Sequence, residues 1–439
     1  MKEIAAKAIE LATKEGATGV RVTIDSGIHH CYSYEQGELE VLHRAESNII
    51  SLDLFINGRC SYISGNNPTL EGIGKLVKEG MQMARVLSDD PCNTLPNPEL
   101  CYKGGAAPLA LYDNAIESLS TEQKIRMAQD AFEEIVGSNK SLIDIKSTYE
   151  DSAEHTYIAD SQGFEGEADS TEFGISTECS IDGGNGAIYD GFWGNYATCL
   201  KNLELQGCSK RALERAVAKI GAAPVKGGKV NVVFNNTVSG RLVAEILTAL
   251  QGGCIQQNRS FLCGCKGKRV FGDNLTILDN PHIPGKCGSR YFDSEGLATK
   301  PSRIICGGVV TDYYLNTYFA NKLNCNATIE GPSAPCIDYS AFKPQYRDLS
   351  YEKMLSLVDK GIVVTNFIGG RCNTATGDFS FGIEGFLLEG GKIGAPICKM
   401  NITGNMTDLW NSLLFAAQDA REGFSWQIPS LAFENLTLT

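Results

Sequence analysis

Several things are scarce or missing in this 439-residue sequence, and each absence narrows the field. No run approaches the roughly 18 consecutive apolar residues that a membrane-spanning helix needs. The first sixteen residues interleave Lys2, Glu3, Lys7, Glu10 and Lys14 with Ile4, Ala8 and Ala12. That pattern reads as an amphipathic helix and lacks the unbroken apolar core of an export signal. A soluble, cytoplasmic chain is therefore expected. Its sixteen cysteines, scattered from Cys31 to Cys398 without a single C-x-x-C, then belong to a reducing compartment, where a disulfide framework is not expected. Positive charge is also short, with 39 Lys and Arg against 52 Asp and Glu, a net charge of −13. Such a field repels a polyanion, so nucleic acid is not an expected partner. Lys266-Gly267-Lys268-Arg269 is the one basic cluster, and its spacing suits a solvated turn.

Catalytic signatures are missing as well. There is no H-E-x-x-H, no G-x-x-x-x-G-K-[ST] and no G-x-S-x-G, which removes the zincin, phosphate-loop and nucleophile-elbow chemistries in their usual form. Ser380 sits one residue off the elbow spacing, inside an alternating strand. Gly184-Asn185-Gly186 lacks the third glycine and the preceding strand of a dinucleotide fingerprint.

What is present is alternation in blocks. Val20–Ile24, His30–Tyr34, Leu39–His43, Ile49–Ile56 and Cys60–Ile63 read as strands, with Gln36-Gly37 and Asn57-Gly58 at hairpin turns. In the adjacent pair His29-His30, one side chain is expected to face outward. A helix with Ile73, Leu76, Val77, Met81 and Ala84 on one face follows. Four prolines from Pro91 to Pro108 then break all regular structure. Ser120 and Gln123 form a capping box ahead of a helix whose buried stripe would be Ile125, Ala128, Phe132, Ile135 and Val136. Strands follow to about Ile181, then a helix over Ser209–Ile220 with Leu213, Val217 and Ile220 inward. Ala222-Ala223-Pro224 and Gly227-Gly228 mark a second boundary. Beyond it come a strand at Val230–Phe234, a helix over Thr237–Gln251 and short strands rich in glycine. The expected architecture is α+β: an N-terminal α+β domain at 1–90 with an antiparallel sheet, a middle domain of helix and strand at 110–222, and a β-rich C-terminal domain at 223–439.

Two clusters could carry chemistry. Cys263-Gly264-Cys265 with His282 and Cys287 offers the ligand types zinc takes, although a C-x-C pair also arises from ordinary packing of buried cysteines. The glycine-bearing polar segments Asp293–Gly296 and Gly369–Asp378 could line a groove where an extended peptide adds a strand, or could serve only as hydrogen-bonded turns. Asn373, Thr376 and Asp378 are the candidate peptide contacts.

Asn258-Arg259-Ser260-Phe261-Leu262, Tyr291-Phe292-Asp293-Ser294-Glu295-Gly296, Asn373 through Ser380, and Ile402-Thr403-Gly404-Asn405 resemble, in order, motifs of the TldD/PmbA family. The chain is most similar to the PmbA branch, also called TldE and described as a modulator of DNA gyrase. The resemblance implies intracellular proteolysis of unfolded peptides inside a dimeric chamber. In the TldD branch, a His-Glu-x-x-x-His helix and a cysteine near the C-terminus hold zinc. The matching helix here reads Ala244-Glu245-Ile246-Leu247-Thr248-Ala249, so alanines stand at both histidine places and Glu245 is the vestige. Gly423–Gln427 offers no cysteine, and Cys398 lies well upstream. No metal is expected on this chain and no catalysis by it alone. The resemblance implies a non-catalytic subunit working with a TldD-type partner that carries the zinc. The alternatives are a homodimeric binding protein that regulates gyrase or a toxin–antitoxin system, and an enzyme using another nucleophile or the Cys263/Cys265 cluster.

Overall fold

The computed structural model describes residues 1–184 and 186–439; Asn185, at the centre of Gly184-Asn185-Gly186, lies outside the described residues. Its first half is one antiparallel sheet. Strands β1 (Gly19–Glu35), β2 (Glu38–Ile56), β3 (Arg59–Gly65), β4 (Leu142–Asp160), β5 (Glu165–Asp182) and β6 (Ile188–Ala197) lie in the order β3-β2-β1-β4-β5-β6. The sheet thus draws strands from both the 1–90 and the 110–222 stretches. Both hairpin turns form where expected, with Gln36, Gly37, Asn57 and Gly58 all at positive φ.

One face of this sheet is covered by helices. α1 (Lys2–Lys14) buries Ala5, Ala8 and Ala12, and α2 (Leu70–Val86) buries Ile73, Val77, Met81 and Ala84, against Val20, Val22, Ile24, Leu52 and Leu54. After a short α3 (Ala115–Ser118), the Ser120/Gln123 capping box opens α4 (Thr121–Glu133). Ala128 and Phe132 are buried as expected, but the helix ends at Glu133, so Val136 falls in the turn beyond it and is 53% exposed; Lys124, which was not expected inside, is 2% exposed. A buried carboxylate explains this. Lys124 Nζ lies 3.0 and 2.8 Å from the two oxygens of Asp151, His30 Nδ1 is 2.7 Å from Asp151 Oδ1, and the Tyr149 hydroxyl donates to Oδ2 at 2.9 Å. His29 takes the outward place and His30 the inward one.

A second correction concerns α5 (Cys208–Ala218), which buries Cys208, Ser209, Ala212 and Ala216, while Val217 and Ile220 stay exposed. The helix lies so close to β6 that a Cβ on Gly191 would collide with the Ala212 carbonyl oxygen. Only small side chains fit that contact, so the larger ones turn away.

The second half is a closed β structure. β7 (Gly228–Phe234), β12 (Gly361–Cys372), β13 (Asp378–Glu389), β14 (Lys392–Asn405), β15 (Leu413–Ala416) and β16 (Leu431–Leu438) run in the order β14-β13-β12-β7-β16-β15, and a β14–β16 pairing closes the ring. A smaller sheet, β10-β9-β8-β11, comprises β8 (Ile277–Asp279), β9 (Ser302–Cys306), β10 (Val309–Val310) and β11 (Pro335–Ile337). α6 (Ser239–Ala249) sinks Leu242, Val243, Ile246 and Leu247 into the main core with Phe234, Trp410 and Phe433. The α+β class holds. No helix among the described residues is long and apolar enough to cross a membrane.

Candidate functional site

The strand β7 ends at Phe234, and the chain turns into α6 through Asn235, whose Oδ1 accepts from the Thr237 N–H and hydroxyl at 3.2 and 3.0 Å. With one face of α6 in the core, Arg241, Ala244, Glu245 and Thr248 are left on the other. Arg241 donates to the Gly370 carbonyl at 2.7 Å and lies 5.1 and 4.7 Å from the Phe367 and Phe381 ring centres. Glu245 is half-buried, and burial pushes its carboxyl up against the opposing pull of Arg241. Cys372 stands between Glu245 and the 373–378 turn. Its thiol is pushed up to about 11 by burial, then by the Glu245 and Asp378 carboxylates.

The chemistry available on this helix face is limited. Ala244, on this face, and Ala249, fully buried in the main core, both end in methyl groups without a lone pair, so of the three positions only Glu245 offers a donor atom. That set does not fit a zinc ion. Cys263, Cys265, His282 and Cys287 are not brought together either. The Cys263 thiol faces the Ile255 carbonyl at 3.6 Å, His282 Nε2 meets Thr299 Oγ1 at 3.0 Å, and Cys287 faces Glu172 at 3.7 Å. Among the described residues, no three His, Cys, Asp or Glu side chains are placed to hold a metal.

Asn373, Thr376 and Asp378 are exposed at the connection between β12 and β13, where Asn373, Asp378 and Arg259 line a hollow of about 700 Å³. Their polar atoms are largely engaged within the turn. The Thr376 hydroxyl donates to Asp378 Oδ2 at 2.8 Å, and Asn405 Nδ2 donates to the Thr376 carbonyl at 2.9 Å and to Asp378 Oδ1 at 3.0 Å. These bonds hold the Asp378 carboxyl below its ordinary range. The Asp293–Gly296 segment is an internal tie. Asp293 is 2% exposed and accepts from the Glu295 and Leu297 N–H groups at 2.9 Å, and Glu295 reaches Arg21 of the first sheet at 3.4 Å.

A larger cleft, of about 840 Å³, runs along the edge strand β6, with walls from Trp193 to Thr198, Ile283 to Cys287, and Arg421 to Gly423. Past Asn236 and Arg421 it meets a hollow of about 570 Å³ beside the start of α6. Nothing local in the sequence signals this cleft, because Trp193 and Arg421 meet across 228 positions of chain.

A helix-backed antiparallel sheet joined to a closed β structure, with a polar cleft between them, defines an α+β protein. Residues 114–220 match the PmbA/TldA metallopeptidase central domain and residues 227–439 its C-terminal domain. The chain belongs to the PmbA/TldD metallopeptidase family. It is 28% identical over 426 residues to the metalloprotease PmbA of Escherichia coli O157:H7, covering 95% of this chain and 91% of that one. A crystal structure of a proposed modulator of DNA gyrase from Bacteroides thetaiotaomicron superposes with a TM-score of 0.95 at 36% identity, over 100% of this chain and 98% of that one. TldE from Thermococcus kodakarensis shares the fold, with a TM-score of 0.87 at 17% identity over 99% and 100% of the two chains.

Proposed function

We propose that this chain is the non-catalytic subunit of a TldD/TldE-type peptidase acting on unfolded peptides in the cytoplasm. It pairs with a TldD-type subunit that carries the zinc, and helps enclose and hold the peptide. The observation that carries this reading is the donor set on α6, where Ala244 and Ala249 flank a lone Glu245. Such a helix supplies no metal-activated water and no Lewis acid for a scissile carbonyl. A self-complementary dimer patch survives duplication even when one copy loses its metal, because both chains use the same surface.

The test is a tagged pull-down from the native cytosol, followed by metal analysis and peptide-cleavage assays on the isolated chain and on any complex. A His-Glu-x-x-x-His protein recovered in equal amount, with cleavage only by the pair, is the expected result. Cleavage by the isolated, metal-loaded chain would overturn the reading; the relatives named metalloprotease make that outcome worth seeking. Recovery of the chain alone would favour an autonomous homodimeric regulator of gyrase or a toxin–antitoxin system, in line with the name given to the Bacteroides protein.

A further inference from the structure

The cleft along β6 gathers positive charge that the rest of the molecule leaves unneutralised. The Arg421 guanidinium lies 4.1 Å from the Trp193 ring centre and 4.5 Å from that of Phe424. Arg211 and Arg215 approach the same indole at 5.4 and 5.7 Å. Arg421 donates to the Gly194 carbonyl, and Arg215 donates to the Thr365 carbonyl at 3.1 Å. Among the described residues neither has a carboxylate oxygen within 4.0 Å. Arg211 has only the exposed Glu204, at 3.9 Å, and Glu422 lies exposed on the rim. On the facing loop Lys286 is 8% exposed, and its Nζ has no hydrogen-bond partner among the described residues.

Charge withdrawn from water is ordinarily paired, because desolvation is otherwise uncompensated. Here like charges crowd instead. Burial, and then the neighbouring Arg215 and Arg211, push Arg421 down to about 10. In a chain of net charge −13, carboxylates to quench these arginines are plentiful, yet none is placed against Arg215 or Arg421. An incoming anion would relieve the repulsion, and a guanidinium fork matches a carboxylate with two parallel bonds. The Trp193 and Phe424 faces already fix the Arg421 fork, so little entropy is left to lose on binding. The adjoining hollow, with Phe367, Phe424 and Trp426 in its walls, offers apolar surface for neighbouring side chains.

We infer that the cleft recognises a carboxylate of an extended peptide, its free C-terminus or an acidic side chain, through Arg421, with Arg211 beside it in the cleft wall. This rests on the peptide-handling reading above, and the experiment separates the two. Fluorescence anisotropy with the full chain would compare three labelled unstructured peptides: one with a free C-terminus, its C-terminal amide, and an amide carrying an internal glutamate. Either carboxylate-bearing peptide should bind roughly tenfold or more tighter than the plain amide, the scale of a charge-assisted pair. Which of the two does so identifies the source of the carboxylate. Arg421→Gln should remove that preference and leave amide binding in place. Arg421→Lys keeps the charge without the fork and should shrink the preference several-fold with thermal unfolding unchanged. Equal binding of all three peptides overturns the carboxylate inference and leaves peptide holding intact. Binding of none overturns both, as would binding of inorganic phosphate alone.

Discussion

Two groups of withdrawn charge, one beneath α4 and one at the β6 cleft, are handled in opposite ways. Asp151 accepts from Lys124 and Tyr149 and lies 2.7 Å from His30 Nδ1, and all four side chains are buried. At the cleft, Arg215 and Arg421 are satisfied only by carbonyl oxygens and aromatic faces. A network that uses its partners up within the chain can only hold the fold. One that keeps cations without a counter-ion is arranged to receive something. Pairing, more than burial, therefore separates the structural charges of this protein from the recognising ones.

Breaking the paired set should have the largest effect. Lys124→Met keeps the stem but leaves Asp151 as a buried charge short of its cation, a change that costs roughly 3–5 kcal/mol. Urea unfolding should show that loss, and the double variant Lys124→Met/Asp151→Asn should recover part of it. A loss below about 1 kcal/mol would mean that the pairing of Lys124 with Asp151 contributes little to holding the fold. The next effect links the two regions. Gly191 permits the close approach of α5 to β6, and that approach sets Arg211 and Arg215 against Trp193. Gly191→Ala should cost about 1–3 kcal/mol by overpacking and should loosen the arginine cluster, seen as a change in Trp fluorescence. An unchanged unfolding midpoint would refute the close contact.

Legibility in the sequence follows the same division between local and distant. Gln36-Gly37, Asn57-Gly58 and the Ser120/Gln123 box were readable because each signal lies within a few residues. The α5 face was not, since leucine and valine draw the eye while the true contact selects Cys208, Ala212 and Ala216 for smallness. Neither charge cluster was readable. His30 and Asp151 are 121 positions apart, and Arg421 reaches Trp193 from the far end of the chain. Of the candidate site, the stretch from Ala244 to Ala249 could be read because it is six consecutive residues of one helix, whereas the cleft that reaches the start of α6 exists only once the two halves meet.

Asp293 shows a third way of burying charge, by keeping the proton. Burial, then Glu330 and Glu295, push its carboxyl up to about 8, while Glu330, against its own burial, is held low first by the hydrogen bond from Asp293 and then by Arg290 at 2.7 Å. Below about pH 4 Asp293 is protonated in both the folded and the unfolded chain, so the two states do not differ. As pH rises towards about 8 the unfolded chain has released a proton that the native state keeps, so stability falls, by at most roughly 1.4 kcal/mol per pH unit. Glu330 acts in the opposite sense: its contribution is present above its unfolded pKa and is lost as pH falls. Asp293→Asn should therefore flatten the decline between pH 5 and 8 in unfolding midpoints. An unaltered slope would show that Asp293 is ionised in the folded protein.

The smallest effect is expected at the turn between β12 and β13, and it sharpens the contrast with the cleft. Thr376 and Asp378 are exposed, but each bonds to the other, and Asn405 closes the ring. A peptide passing here would meet groups already engaged, so these residues can guide it only by shape and by the outward side of the Asp378 carboxylate. Alanine at Asn373, Thr376 or Asp378 should weaken peptide binding by a few-fold, less than Arg421→Gln, with the thermal midpoint unmoved because the bonds lost lie in water. If all three variants leave both affinity and stability unchanged, the turn has no part in peptide contact. The β6 cleft, with its unpaired arginines, would then be left as the whole of the peptide-binding surface proposed here.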